Sequence, residues 1–145
     1  LWPARYARLE QTGDLTGDAS DSAIANADYR QAMTAMQQGD DAAAGYAIRR
    51  LLAATPDDPV AHNLQGILYR RAGQFRQARD AYEQALRLRP DYTMAHINLG
   101  ILCDIYLQDT DCAMQHYREY LQLSAGSDNH VSLWLADLEQ RQGDR

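Results

Sequence analysis

The sequence predicts an all-α protein: a right-handed α-solenoid of about three helix-turn-helix units, followed by a C-terminal capping helix. The first observation is a near repetition, because AHNLQGILYRRAG at 61–73 is followed by AHINLGILCDIYL at 95–107. The second is that landmark residues recur at the same interval of 34 residues, as Gly66 and Gly100 do. A fixed interval of this length is typical of a two-helix unit that stacks on copies of itself.

The first 24 residues precede the repeats and differ from them in composition. The stretch QTGDLTGDASDS is rich in Gly, Asp, Ser and Thr, which predicts a linker. Before it, LWPARYARLE places Trp2, Tyr6 and Leu9 at helical spacing. Two interpretations of residues 1–24 stay open, a frayed terminus and an amphipathic docking helix. Because residue 1 is Leu rather than Met, we expect a trimmed chain that has lost any targeting segment.

The repeat domain is predicted to span 25–145, with units at about 25–58, 59–92 and 93–127. Glycine-containing stretches such as QQGDD and RAGQF mark the turn between the two helices of a unit. A proline such as Pro90 follows the second helix and stops it, since proline has no N–H to donate. These markers place a pair of helices in every unit.

Small residues are predicted where the two helices of a unit cross, because they let the backbones approach closely. Gly66 and Ala78 occupy these positions in the second unit, and Gly100 and Ala113 repeat the pairing in the third. The third pairing spans 13 positions where the second spans 12. The third unit is therefore expected to carry one extra residue in its turn.

The segment 128–142 predicts a lone seventh helix. Its apolar residues Val131, Trp134, Leu135 and Leu138 follow helical spacing. A solenoid without a cap exposes the apolar face of its last unit to water. We therefore expect this helix to cover the third unit.

The order of these landmarks resembles the tetratricopeptide repeat family. The family's pattern is a large residue, then Leu-Gly, a Tyr, an Ala, a large aromatic residue, an Ala and a Pro. The best unit matches this pattern at Gly66, Tyr69, Ala78, Tyr82, Ala85 and Pro90. The segment HYREYLQLSAGSDNHVSLWLADLEQR also looks similar to bacterial repeat proteins of the cell envelope. The resemblance implies a bacterial protein whose helical hairpins stack into a curved array.

Family geometry implies a binding surface, because the first helix of each unit lines the concave side of the array. The implied peptide-binding residues are mostly apolar with a polar fringe: Tyr29, Met33, Met36, Asn63, Ile67, Arg70, Ile97, Asn98 and Ile101. We expect a solvent-facing stripe that takes up a helical or extended apolar segment. The alternative is that Met33, Met36 and Ile67 pack between the units as core.

The resemblance implies an adaptor or scaffold that binds a polypeptide segment of another protein, in a bacterial envelope assembly for pili, secretion or transport. The alternative is a self-assembling structural subunit, a homo-oligomer whose concave groove is filled by its own N-terminal segment or by a neighbouring copy. Both interpretations make the partner a polypeptide, and they differ in whether that polypeptide is foreign or a copy of this chain.

Composition and motif content argue against other classes of function. The chain carries a net charge of −6, and phosphate binding needs a basic surface, so no nucleic-acid partner is expected. No apolar run approaches the roughly 20 residues of a membrane span. No phosphate-binding loop, zinc-helix motif or nucleophile elbow is present, so we expect no enzyme, no cofactor and no metal. His62 and His96 share one repeat position, which packing explains.

Cys103 and Cys112 are the only cysteines of the chain. They fall on the first and second helices of the third unit, so a helical hairpin brings them close. The sequence leaves two states open, buried free thiols and a disulfide. A disulfide implies an oxidising compartment. We favour the bacterial periplasm or an envelope-associated site over the cytoplasm.

Overall fold

The computed structural model describes residues 27–144, and this range folds into seven α-helices without a strand. The helices are α1 (Ala27–Gln37), α2 (Asp41–Ala54), α3 (Pro59–Arg71), α4 (Phe75–Leu88), α5 (Thr93–Ile101), α6 (Thr110–Leu123) and α7 (Asn129–Gly143). Helices α1 and α2, α3 and α4, and α5 and α6 pack as three hairpins, and α7 packs against α6. The predicted all-α solenoid of three helix pairs with a capping helix is confirmed.

Two further sequence expectations concern the N-terminal segment and membrane-spanning helices. The predicted linker and docking helix at 1–24 lie outside the described residues. Within 27–144, no helix is long and apolar enough to cross a membrane.

Aspartates begin four of the helices. Asp40, Asp58, Asp109 and Asp128 each accept a hydrogen bond from a backbone N–H in the first turn that follows. This satisfies donors that the start of a helix otherwise leaves unpaired. One aspartate of each pair in QQGDD and TPDDP, Asp40 and Asp58, therefore caps the helix that follows it.

In the second and third hairpins a tyrosine of the second helix lies on a glycine of the first. A Cβ added to Gly66 would lie 2.5 Å from the ring of Tyr82, and one added to Gly100 would lie 2.7 Å from the ring of Tyr117. Both tyrosines are fully buried. The crossing requires glycine because the ring occupies the space that a side chain would need.

The first two hairpins turn in the same way. Gly39 and Gly73 follow α1 and α3, and both have a φ of +76° that an L side chain rarely adopts. After Gly73, the amide of Gln74 donates to the carbonyl of Tyr69, five positions back, at 2.8 Å. This bond closes the end of α3 in the manner of a Schellman motif.

The third hairpin turns differently. A π-helical turn at Leu102–Leu107 continues α5, and Gln108 after it takes the left-handed conformation at a φ of +54°. The amide of Asp109 then donates to the carbonyl of Cys103, six positions back, at 2.8 Å. The sequence predicted that the extra residue of the third unit lies in its turn, and this prediction is wrong. It lies inside the helix because a π-helical turn absorbs one residue without breaking the backbone ladder.

The capping helix α7 is fixed to the third hairpin by its apolar face and by the N-cap residue that precedes it. Val131, Trp134 and Leu138 are buried, and the ring of Trp134 lies 6.0 Å from that of Tyr117. The hydroxyl of Tyr120 on α6 donates to the α7 N-cap Asp128 at 3.0 Å. Burial, then the negative charge of Asp128 and the hydrogen bond to it, raise the pKa of Tyr120 to about 12.

Candidate functional site

The first helices of the units lie side by side. Arg71 of α3 donates to the carbonyl of Met36 on α1 at 3.3 Å and pairs with Asp41 at 2.9 Å. Helices α3 and α5 are joined by a hydrogen bond between Asn63 and Asn98. Stacked helix pairs of this kind form a concave surface. We call the surface formed by α1, α3, α5 and α7 the concave face, and the nine predicted binding residues lie on its helices.

Two buried asparagines stand where α3 meets α5. Nδ2 of Asn98 donates to Oδ1 of Asn63 at 3.1 Å, and both side chains are fully buried. The other atom of each amide, Nδ2 of Asn63 and Oδ1 of Asn98, has no hydrogen-bond partner among residues 27–144. A buried polar atom without a partner costs about 1–3 kcal/mol. The pair therefore lowers stability and leaves one donor and one acceptor for a further polar group.

Most of the predicted peptide-binding residues are buried. Tyr29, Met36, Ile67, Ile97 and Ile101 are each at most 6% exposed and belong to the hydrophobic core. The expected solvent-facing stripe is therefore wrong for these five residues. The reason is that the first helices pack against the second helix of their own unit and, in α3 and α5, against that of the preceding unit, which places these positions in the core. Packing as core is the alternative given for Met36 and Ile67. Their contact with a bound segment stays a prediction.

The remaining predicted residues differ in character. Met33 and Arg70 are half-buried, and Arg70 is the one cation of the predicted set. Together with the two asparagines it forms the polar part of the concave face. The arrangement offers amide hydrogen bonds and a single positive charge. It lacks a grouping of acid, base and nucleophile.

Sequence reasoning missed Leu133 on α7, which is 67% exposed. It lies five residues after the N-cap Asp128, as Asn63 lies five residues after the N-cap Asp58. Equal distances from the N-cap place the two residues on the same face of their helices. Counting from the capping aspartates would have given Leu133 the same helix position as Asn63.

His62 and His96 have the same structural role. Nε2 of His62 lies 2.8 Å from the carbonyl oxygen of Pro56, and Nε2 of His96 lies 2.7 Å from that of Pro90. Each imidazole N–H donates to the carbonyl of the turn before its helix. These bonds tie the first helix of a unit to the end of the preceding unit, so the packing role expected for both histidines is present.

A second histidine lies beside His96. Its Nδ1 atom is 3.1 Å from Nδ1 of His116 on α6. Because Nε2 of His96 donates to the proline carbonyl, its Nδ1 accepts the N–H of His116. Burial, and then the neighbouring His96, lower the pKa of His116 to about 4. In the described part of the chain, no three His, Cys, Asp or Glu side chains come together as metal ligands.

Cys103 and Cys112 form a disulfide with an S–S distance of 2.04 Å. It joins the π-helical turn to the first turn of α6, and both residues are buried. Of the two states that the sequence leaves open, the structure contains the disulfide.

The chain belongs to the tetratricopeptide repeat family. Its sequence matches that family at residues 10–59 and 63–128, which together make up most of the chain. The second match begins within α3 and extends past the end of the third hairpin. The first match begins before residue 25, where the repeat domain was expected to start.

Solved structures share the fold, and two of the three described next are tetratricopeptide repeat (TPR) domains. The first TPR domain of Spaghetti (RPAP3), bound to an HSP90 peptide, has a TM-score of 0.71 at 22% identity, over 79% of this chain and 91% of that one. The Sgt2 TPR domain from Aspergillus fumigatus has a TM-score of 0.73 at 17% identity, over 89% and 84%. A mutant O-GlcNAc transferase of Thermobaculum terrenum has a TM-score of 0.70 at 26% identity, over 83% of this chain and 23% of the transferase.

Proposed function

We propose that this chain is an adaptor that binds a polypeptide segment on the concave face and that it is not an enzyme. The observation that carries the proposal is the Asn63–Asn98 pair, whose uncommitted atoms are one donor and one acceptor. A backbone peptide group carries one acceptor and one donor, so it complements the pair. A loss of stability of this kind is a recurrent cost of functional sites.

The surrounding residues supply the rest of the proposed contact. Arg70 would pair with an acidic side chain or a terminal carboxylate of the segment, and the flexible Met33 side chain would adapt to its shape. The buried residues of the predicted set would form the floor beneath it: Tyr29, Met36, Ile67, Ile97 and Ile101. The proposal is supported by the RPAP3 TPR domains, which were solved with an HSP90 peptide and an HSP70 peptide.

We further propose that the adaptor works in an oxidising compartment, the bacterial periplasm or another part of the envelope, in an assembly for pili, secretion or transport. The Cys103–Cys112 disulfide supports this compartment, since disulfides persist in oxidising surroundings and are rare in the cytosol. The similarity of residues 116–141 to envelope repeat proteins of bacteria supports the setting.

The test uses a random peptide library displayed on phage. Peptides selected on the wild-type chain are titrated against the double variant Asn63→Leu, Asn98→Leu. We expect their affinity to fall at least about tenfold, which is 1.4 kcal/mol, while the free energy of unfolding rises by about 1–3 kcal/mol because two unpaired buried atoms are removed. The matched control is Asn129→Leu, at an exposed asparagine of α7. Unchanged affinity, or a loss of stability, would contradict the proposal.

A second candidate function is self-assembly, and α7 supplies the observation that favours it. Ala136 is exposed and lies eight residues after Asp128, as Gly66 lies eight residues after Asp58. With the exposed Leu133 it offers a small-residue position that fits a helix from a second copy. Sedimentation at rising protein concentration tests this, because a mass increase that Leu133→Asp abolishes would favour the structural subunit.

A further inference from the structure

A cavity of about 360 Å³ lies at the junction between the first and second hairpins, where α2 packs beside α3. Ile48 and Leu68 give it apolar lining, and Asp41 and Arg49 are exposed at its rim. A cavity of roughly 150 Å³ is enough to hold a benzene ring. The first junction therefore has room for an aromatic side chain and a further polar group.

The corresponding place at the second junction, where α4 packs beside α5, is filled by aromatic rings. At an interval of 34 residues, Phe75 stands where the first junction has Asp41, and Tyr106 stands where it has Ala72. The rings of Phe75 and Tyr106 are stacked, with centroids 4.7 Å apart. The repeat itself therefore shows that this part of a junction accommodates an aromatic side chain.

A cation lies next to this aromatic pair at the second junction and is fully paired. Arg79 stands where the first junction has Gly45. Its guanidinium binds the carboxylate of Glu83 at 3.0 Å and that of Asp109 at 3.3 Å. The second junction is thus closed by an aromatic stack beside an arginine and two carboxylates. The smaller residues of the first junction leave this space open.

Arg49 supplies the cation of the open junction. Its Nη1 atom lies 3.4 Å from the place that a Cβ on Gly45 would take, so the guanidinium lies over the glycine at the cavity. Within residues 27–144 the guanidinium has no hydrogen bond or ion pair. The neighbouring Arg50, by contrast, pairs with Asp28 at 3.1 Å. Arg49 is therefore available to a carboxylate from outside this range.

We propose that this cavity is a second binding site, separate from the concave face, which takes an aromatic side chain and a nearby carboxylate of a partner polypeptide. The ring occupies the end at Ala72, where the second junction has Tyr106. The carboxylate pairs with Arg49, and Gln65, which also lines the cavity, can donate its amide N–H to the same group. The site does not depend on the proposed binding at the concave face.

The length of the cavity sets the spacing of the two groups. Asp41 and Arg49 are eight residues apart on α2, which is about 12 Å along the helix. In an extended segment, side chains two positions apart share a face and start about 7 Å from each other. A long aromatic side chain and a glutamate at this spacing can reach the two ends. The partner motif is therefore an aromatic residue and an acidic residue separated by one position.

Charge fixes the direction of the motif in the cavity. Arg71 pairs with Asp41 at 2.9 Å, so the end at Asp41 carries no uncompensated positive charge, and the carboxylate of the motif is drawn to Arg49. Asp41 can accept a further hydrogen bond from a phenol O–H or an indole N–H. Tyrosine or tryptophan therefore suits the aromatic position better than phenylalanine.

The test is an NMR titration of the isotope-labelled full chain with the blocked tripeptide acetyl-Tyr-Gly-Glu-amide. We expect saturable shift changes at the backbone amides of Gly45, Arg49 and Leu68. Replacing the glutamate of the tripeptide by glutamine should raise the Kd about three- to tenfold for the wild type. The same replacement should leave the Kd unchanged for Arg49→Gln, because the charge pair is then already absent.

Two further variants separate the cavity from its surroundings. Arg50→Gln is the matched control, since it removes the neighbouring arginine outside the cavity, and its Kd should equal that of the wild type. Gly45→Leu fills the cavity and should abolish binding. Its urea midpoint should not fall, because the Cβ enters open space with its nearest neighbour at 3.4 Å. The double variant Asn63→Leu, Asn98→Leu should bind the tripeptide like the wild type, so this proposal and the concave-face proposal fail independently.

Several results would overturn the proposal. These are an absence of saturable shifts at the three amides, binding that survives Gly45→Leu, and an equal loss of affinity in Arg49→Gln and Arg50→Gln. Shifts that appear only after Trp2→Ala and Tyr6→Ala would assign the cavity to the chain's own aromatic residues. Shifts of the same amides on dilution without tripeptide would assign it to a second copy, and either assignment excludes the partner.

Discussion

The second and third hairpins share a helix crossing and differ in the turn that leads to it. In both, the ring of a buried tyrosine lies on a glycine, Tyr82 on Gly66 and Tyr117 on Gly100. The second hairpin turns through Gly73, whereas the third turns through a π-helical segment and Gln108. The crossing is fixed by sterics, while the turn only has to return the chain to it and can take an extra residue.

The third hairpin adds contacts that hold its longer turn. A disulfide joins Cys103 to Cys112, and Cys103 stands 34 residues after Tyr69 of the second unit. Tyr106 of the π-helical turn stacks on Phe75 of α4 with ring centroids 4.7 Å apart. A second histidine, His116, pairs with His96. The insertion is therefore accompanied by bonds that the regular hairpin lacks, and each can be removed singly.

Adding a methyl group at the crossings should have the largest effect, and it should be equal in the two hairpins. Gly66→Ala and Gly100→Ala place a Cβ within 2.7 Å of a buried tyrosine ring, so each should cost about 2–3 kcal/mol in urea unfolding. The matched control is Gly45→Ala in α2, where the nearest atom lies at 3.4 Å. At this position the higher helix propensity of alanine should stabilise the protein by about 0.5–1 kcal/mol. Unchanged midpoints for the two crossing variants would mean that the crossings tolerate a side chain.

Removing the disulfide should have the next largest effect on stability, and it removes a contact of the third hairpin alone. The cysteines are nine positions apart, and a loop of that size stabilises by roughly 2.5 kcal/mol in the chain-entropy model. The double variant Cys103→Ser, Cys112→Ser should therefore unfold at lower urea concentration than the oxidised wild type. A thiol reductant should lower the wild type to the same midpoint and leave the variant unchanged. Identical midpoints throughout would show that helix packing makes the bond redundant.

The histidine pair should make stability depend on pH. The pKa of His116 is about 4 in the folded chain and near 6.5 when unfolded, so the unfolded chain binds more protons between these values. The free energy of unfolding should therefore fall as pH drops from 6.5 towards 4, by on the order of 2 kcal/mol, and stay constant above 6.5. His116→Gln should flatten this part of the profile. If the wild type and His116→Gln show the same dependence of stability on pH, His116 is not its origin.

The sequence predicted the repeats well because steric landmarks recur at a fixed interval. Gly66 and Gly100 mark crossings that only a small residue permits, and one extra position before Ala113 signalled an insertion. The location of the insertion was not predictable from that count. A turn and a π-helical segment both accommodate one residue, and the choice depends on backbone bonds that residue types do not specify.

The candidate site was predicted less well. A sequence pattern indicates on which face of a helix a residue lies, but it does not indicate how deeply the side chain is buried. Ile67 and Ile101 were assigned to the correct helices, yet neighbouring units bury them. Asn63 and Asn98 were included for their polarity, but their mutual hydrogen bond depends on how two helices approach each other. Burial and pairing arise from packing between units, which the repeat interval does not encode.

The smallest expected effect concerns the turn itself. Gln108 has a φ of +54° where Gly73 has +76°, and an L side chain in this region costs roughly 1 kcal/mol relative to glycine. Gln108→Gly should therefore stabilise the protein by about 0.5–1 kcal/mol, and Gly73→Ala should destabilise it by a similar amount. Gln108→Ala is the matched control, since it removes the side-chain amide and keeps the Cβ, and it should leave stability unchanged. If Gln108→Ala stabilises as much as Gln108→Gly does, the effect comes from the side chain, and the two turns do not differ in backbone strain.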